Sequence, residues 1–149
     1  MDLALLVKEI YEQAKVLASA KGITLSLGPL EDVSILGDSE RLRRLLLNLV
    51  DNGIKYTLAG GRVTVSLQED SQWAYIRVSD TGIGLSHEDQ KRIFERFYRT
   101  VEARSRDESG AGLGLCIARS IAEAHSGRIA VESIPGQGST FTVILPLHS

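Results

Sequence analysis

Apolar and polar positions along this chain follow two rhythms, one helical and one alternating, and together they divide it into elements. Residues 2–20 carry Leu3, Leu6, Val7, Ile10, Ala14 and Leu17 at helical spacing, and Gly22 closes the helix. Ile23-Thr24-Leu25-Ser26-Leu27 alternates as a strand. Gly28-Pro29 is expected to break it, and Val33-Ser34-Ile35-Leu36 to form a short second strand before Gly37. Asp38 suits the N-cap of a helix over 39–56, where Leu42, Leu45, Leu46, Leu49, Gly53 and Tyr56 share one face. Val63–Leu67 and Trp73–Asp80 alternate on either side of Glu69-Asp70-Ser71, which predicts a hairpin. A short helix is expected over 88–94. A longer one opens at Gly110–Leu115 and runs to about His125, apolar at Leu115, Ala118, Ile121 and Ala122, with Gly127 as its C′ residue. Strands at 128–134 and 140–147 finish the chain around Pro135-Gly136-Gln137-Gly138.

Composition narrows the class. At 149 residues, 43% hydrophobic and 24% charged, the chain reads as one globular domain able to bury a core. A formal net charge of −2 gives no reason to expect nucleic acid or an anionic membrane as the main partner. Cys116 is the only cysteine, which excludes an internal disulfide and a CxxC metal site, and its apolar helical surroundings read as core. No apolar run approaches the roughly 20 residues needed to cross a bilayer, and no signal-peptide pattern opens the chain. The expectation is a soluble, cytoplasmic piece.

Three stretches carry candidate chemistry. On the helix over 39–56, Asn48, Asn52 and Lys55 make a polar stripe beside the apolar face. An amide oxygen is a hard ligand suited to Mg²⁺ and a lysine ammonium suits phosphate, although such a stripe is also what a plain polar shoulder looks like. Asp80-Thr81-Gly82-Ile83-Gly84 puts a carboxylate at a strand end, followed by two glycines that let a ligand approach the backbone. A carboxylate there can accept a hydrogen bond from an amino group, the feature that distinguishes adenine from guanine; a tight turn with no ligand is the alternative. Residues 100–112 lack apolar periodicity, and Arg99, Arg104 and Arg106 suit either a mobile, solvated loop or a phosphate site. Gly110-Ala111-Gly112-Leu113-Gly114 then bares N–H groups at a helix start, a ready anion site. It is not a Rossmann turn, since no strand leads directly into it, and the chain has no G-x-x-x-x-G-K-[ST] loop. His125 reads as a terminal or packing residue.

Four features thus stand in one order: Asn48-x-x-x-Asn52-x-x-Lys55-Tyr56, Asp80-x-Gly82-x-Gly84, Gly110-x-Gly112-x-Gly114 and Gly136-x-Gly138-x-Thr140, with Phe94-Glu95-Arg96-Phe97-Tyr98-Arg99 between the second and third. The ordered set, covering essentially the whole chain, resembles the catalytic ATP-binding domain of sensor histidine kinases. That superfamily is shared with DNA gyrase, the 90-kilodalton heat-shock chaperone and mismatch-repair ATPases. The resemblance implies an α/β (α+β) two-layer sandwich of the Bergerat type, with a mixed, largely antiparallel sheet and helices on one face. It implies ATP and Mg²⁺ as cofactors. Asp80 would bind the adenine amino group in a pocket shaped by Gly82, Ile83 and Gly84. Asn52 would be the principal Mg²⁺ ligand with Asn48 assisting, Lys55 would meet the phosphates, and Tyr56 would line the pocket. Arg99 would approach the γ-phosphate. Gly110, Gly112, Leu113, Gly114 and Leu115 would close over the phosphates, and Thr140 belongs to the last glycine box. Asn48, Lys55 and Arg99 would be the residues acting in transfer.

Two departures matter. Gly53 stands where alanine is usual, which costs about 1 kcal/mol of helix propensity. More important, His87, His125 and His148 all lack the H-[ED]-x-x-[TN]-P context of a phosphoacceptor. The chain therefore looks like a module excised from a longer kinase. It would bind Mg-ATP and donate the γ-phosphate to a histidine on that kinase's dimerisation domain, for onward transfer to a response regulator. The fragment is expected to be monomeric and its parent a homodimer, membrane-anchored or not. Two other readings are an ATP-hydrolysing conformational module and a non-catalytic ATP-sensing docking module. The first is weakened by Asn48, an amide where hydrolysing relatives carry a water-activating glutamate; the second by the retention of every glycine box.

Overall fold

The computed structural model describes residues 1–96, 98 and 114–147. In chain order the elements are α1 (Leu3–Lys21), β1 (Thr24–Leu30), α2 (Ser39–Lys55), β2 (Arg62–Glu69), β3 (Trp73–Asp80), α3 (His87–Arg92), α4 (Gly114–Ala124), β4 (Arg128–Ile134) and β5 (Gly138–Pro146). The strands form one sheet in the order β1-β2-β3-β5-β4, in which β1 pairs parallel to β2 and the other pairs are antiparallel. Buried residues alternate along each central strand: Val63, Val65 and Leu67 on β2, Ala74, Ile76 and Val78 on β3, Phe141, Val143 and Leu145 on β5. These side chains meet Leu42, Leu45, Leu46 and Leu49 of α2 and Leu3, Val7 and Ile10 of α1 in one core, so helices cover one face of the sheet. The expected mixed sandwich is what forms.

Capping follows the sequence at both long helices. Asp2 accepts the Leu5 N–H at the start of α1, and Asp38 accepts from Glu40 and Arg41 at the start of α2. Gly22 ends α1 in the left-handed region at φ 80°.

Three expectations fail, each for a local reason. Gly28-Pro29 does not end β1, which continues to Leu30 through a register shift between Leu27 and Leu30. Since β1 is an edge strand, the N–H that proline lacks costs no ladder bond there. Val33–Leu36 is not a strand: only Ser34 makes a bridge, to Asp2. Its alternation records that Val33 and Ile35 are buried under the start of α1, not that they pair in a sheet. Gly127 is not the left-handed residue after α4. Ser126 takes that role at φ 62°, with Gly127 N–H bonded to Ala122 O at 2.8 Å and Ser126 N–H to Glu123 O at 3.0 Å, a Schellman pair with glycine one place later. Glycine is needed there for space, since a Cβ would sit 2.2 Å from the Ile144 carbonyl oxygen.

His125 is a packing residue as expected, and a bridging one. Its Nε2 accepts the Asp38 N–H at 3.0 Å and its Nδ1 lies 2.8 Å from Ile121 O, which places the proton on Nδ1. The end of α4 is thereby joined to the cap of α2. Among the described residues, no helix is long and apolar enough to cross a membrane.

Candidate functional site

The end of β3 brings the sequence-selected residues together. Asp80 pairs with Val63 on one side and Ser139 on the other, which fixes its backbone inside the sheet. Its Oδ1 accepts the N–H of Gly82 at 2.9 Å and of Ser139 at 3.2 Å. Its Oδ2 has no partner among the described residues. Burial pushes the carboxyl above the ordinary range, and the two amide bonds oppose that shift. The result is a half-buried acceptor with one oxygen anchored and the other left over.

The chain after Asp80 can take its path because of two glycines. A Cβ on Gly82 would lie 2.4 Å from the Tyr56 carbonyl oxygen; one on Gly84, at φ 71°, would lie 2.3 Å from the Ile134 carbonyl oxygen. The Ile83 N–H bonds to Tyr56 O at 3.2 Å, and the Gly136 N–H to Ile83 O at 2.7 Å. The loop is thus sewn to the end of α2 on one side and to the β4–β5 turn on the other.

The end of α2 is itself fully tied. Its last four carbonyls are those of residues 52–55, the groups a helix leaves without an internal partner. Asn52 O takes the Tyr56 N–H, and Gly53 O takes the Thr57 hydroxyl at 2.7 Å. Ile54 O and Lys55 O take the Lys21 ammonium at 2.8 and 2.6 Å. A cation at the negative end of the helix dipole adds to the hold. This presents Asn52, Lys55 and Tyr56 from a fixed helix end, with the Lys55 Nζ 5.6 Å from the Tyr56 ring centre.

Between these elements lies a pocket of about 360 Å³, counting space open to solvent. Of the residues picked out in the sequence, Asn52, Tyr56, Asp80, Ile83 and Gly84 line it. Leu85, Ile93, Ser139 and Phe141 complete the wall and were not singled out beforehand. Phe141 and Ser139 were legible in principle, because they sit at alternate positions beside Asp80 once the strands pair. Phe94 stacks edge-on against Phe141, with ring centres 6.1 Å apart, behind the apolar side of the pocket.

Other selected residues lie elsewhere. Asn48 is outside this pocket, and its Nδ2 donates to Gly114 O at 3.1 Å where α4 begins. Leu115 is buried in the core. Thr140 bonds to the Ser79 hydroxyl at 3.0 Å on the sheet face away from the helices, so its neighbours Ser139 and Phe141 are the residues that reach the pocket. Arg99, Gly110, Gly112 and Leu113 lie outside the described residues, as does the whole of the segment 100–112.

Known proteins resemble the chain in sequence and fold. Residues 37–149 match the family model of histidine kinase-, DNA gyrase B- and HSP90-like ATPases. The chain is similar to the sensor histidine kinase RppB of Synechocystis sp., at 46% identity over 145 residues, covering 97% of this chain and 32% of RppB. Its fold is similar to that of the mycobacterial sensor histidine kinase MprB, with a TM-score of 0.88, 30% identity, and coverage of 99% of this chain and 97% of that one. It is also similar to full-length ShkA, solved in complex with AMPPNP, with a TM-score of 0.88 and 31% identity over 100% of this chain and 31% of ShkA. The chain thus spans about a third of the length of the curated relatives it matches.

Proposed function

The chain belongs to the family of histidine kinase-, DNA gyrase B- and HSP90-like ATPases, and from that premise we propose that it is the catalytic module of a sensor histidine kinase. It binds Mg-ATP and donates the γ-phosphate to a histidine on the dimerisation domain of the same kinase, for onward transfer to an aspartate of a response regulator. The observation that carries the reading is Asp80: Oδ1 held by two backbone amides, Oδ2 without a partner among the described residues, beside an aromatic and aliphatic pocket. A fixed acceptor in an apolar slot suits the amino edge of adenine.

The donor set also suits magnesium. Asn48 spends its Nδ2 on Gly114 O, so its amide oxygen is the atom left over, and Asn52 supplies a second amide one helical turn away. Bound there with the nucleotide, Mg²⁺ would neutralise charge on the phosphate oxygens. Asn52 and Asn48 would hold it, Lys55 would meet the phosphates as a point charge, and Arg99 would add charge near the γ-phosphate. Such catalysis is mostly positioning, and the group that accepts the phosphoryl belongs to another domain.

The test is phosphotransfer from labelled ATP. Alone, the chain should bind nucleotide, keep no phosphohistidine and release phosphate slowly. Mixed with its dimerisation domain as a separate chain it should transfer weakly, and fusing the two should restore the rate by raising the effective concentration. Phosphorylation of His87, His125 or His148 in the chain alone would overturn the reading. So would a fused protein that binds ATP but transfers nothing.

A further inference from the structure

Behind the wall of the pocket, β4 contributes a hydroxyl whose bonds fix the polarity of its neighbour. Ser133 Oγ accepts the Leu85 N–H at 2.7 Å and donates to the Gly138 carbonyl at 2.9 Å. It also lies 2.8 Å from Ser139 Oγ. A hydroxyl has one proton and two lone pairs. The carbonyl can only accept, so giving it the Ser133 proton satisfies all three partners at once, and the proton between the two hydroxyls then comes from Ser139. Both lone pairs of Ser133 are then used, one by Leu85 and one by Ser139.

Ser139 lines the pocket and is 8% exposed. Its main-chain N–H is already given to Asp80 Oδ1. With its hydroxyl proton turned back onto Ser133, its oxygen can only accept from a ligand. Drift of Ser133 is prevented by Gln90, whose Nε2 donates to Leu85 O and to Ser133 O, both at 3.1 Å, and so clamps β4 to the loop after Asp80.

We propose that Ser133 is a positioning residue that determines base specificity: by taking the Ser139 proton it keeps the pocket wall beside Asp80 an array of acceptors, which favours a 6-amino purine and rejects a 6-oxo purine. The inference rests on the reading of this pocket as the ATP site. A site whose polar atoms are all fixed as acceptors discriminates well, because the wrong base leaves them unpaired in a place water reaches poorly. Were the Ser139 hydroxyl free to turn, it would donate to a 6-oxo group and part of the discrimination would be lost.

Calorimetric dissociation constants for ATP and inosine triphosphate, which differ in the 6-amino or 6-oxo group and in the proton that the 6-oxo base carries on N1, test this on the whole chain. The wild type should prefer ATP. In Ser133→Ala the ratio should narrow about tenfold, the effect of one hydrogen bond exchanged for a clash of acceptors. In Ser133→Ala/Ser139→Ala the ratio should widen again, because no hydroxyl remains to turn. Ser133→Cys, close in size and a weaker acceptor, should narrow it in the same direction if the alanine variant folds poorly. A purely structural Ser133 would weaken both nucleotides alike; an unchanged ratio in Ser133→Ala and Ser133→Cys overturns the proposal, as does a double variant no more selective than Ser133→Ala. A wild type that binds the two nucleotides equally would overturn the ATP reading along with it, so the two failures are told apart.

Discussion

The ammonium of Lys21 lies 2.6 Å from the carbonyl oxygen of Lys55, a contact between the last residue of one helix and the last residue of another. Together with the bond to Ile54 O it closes the end of α2, the helix that carries Asn52, Lys55 and Tyr56. Lys21→Met keeps the apolar stem and removes the donors. It should lower stability by about 1 kcal/mol, since the contact is partly solvated, and should weaken nucleotide binding severalfold. Lys21→Arg, which can still donate twice, should restore both. Thermal denaturation and nucleotide titration on the same samples check this; normal affinity in Lys21→Met would show that α2 holds its end unaided.

Asp80 should give two opposite pH trends. Burial raises its folded pKa above the unfolded value, so the folded protein holds this proton more tightly than the unfolded chain does. The stability contributed by the protonated form is therefore fully present below the unfolded pKa and is lost as pH rises through the folded one. Affinity for ATP should rise over that same window, because only the ionised carboxylate offers a full acceptor to an amino group. Asp80→Asn should weaken ATP binding severely and remove this residue's share of both trends. Equal affinities for ATP and GTP in the wild type would contradict the assignment.

Two glycines should respond in opposite ways to alanine. At Gly53, inside α2, an added Cβ meets Val63 methyl carbons at 3.6 and 3.7 Å and Asp80 Oδ2 at 3.8 Å, all ordinary contacts. Gly53→Ala should gain about 1 kcal/mol of stability from helix propensity. Gly84→Ala meets the Ile134 carbonyl oxygen at 2.3 Å at positive φ, and should lower both stability and nucleotide affinity. Denaturant unfolding of the two variants beside the wild type tests the contrast.

Magnesium separates the role of Asn52 from that of Asp80, although both line the pocket. Asn52→Ala should reduce ATP affinity strongly in Mg²⁺ and little in chelator, whereas Asp80→Asn should reduce it in both. Equal losses for Asn52→Ala in the two buffers would remove it from the metal site.

Much of this site could be read from the sequence because its residues are close in the chain. Asp80, Gly82 and Gly84 fall within one turn, and Asn52 and Tyr56 are one helical turn apart. Parts that depend on distant partners could not. Nothing near Lys21 signals that its ammonium reaches α2, and Ser133 gains its role only when β4 folds beside the loop after Asp80, 48 positions from Leu85. Thr140 and Ser139 illustrate a finer limit. Which of two adjacent hydroxyl residues faces the helices is set by strand register, and pairing with β3 gives that face to Ser139. Val33 and Ile35 show the converse, an alternating pattern produced by burial alone.

The two fastenings of α4 have a consequence for the order in which the site is put together. Asn48 grips the first residue of that helix, and His125 grips the cap of α2 from just beyond the other end. A rod pinned twice to the same beam can neither roll nor slip by a residue without tearing out one pin. The start of α4 at Gly114 is therefore registered against Asn48 when the protein folds. Nucleotide arriving later finds the alignment already made, and the entropy lost in making it is charged to folding instead of to binding.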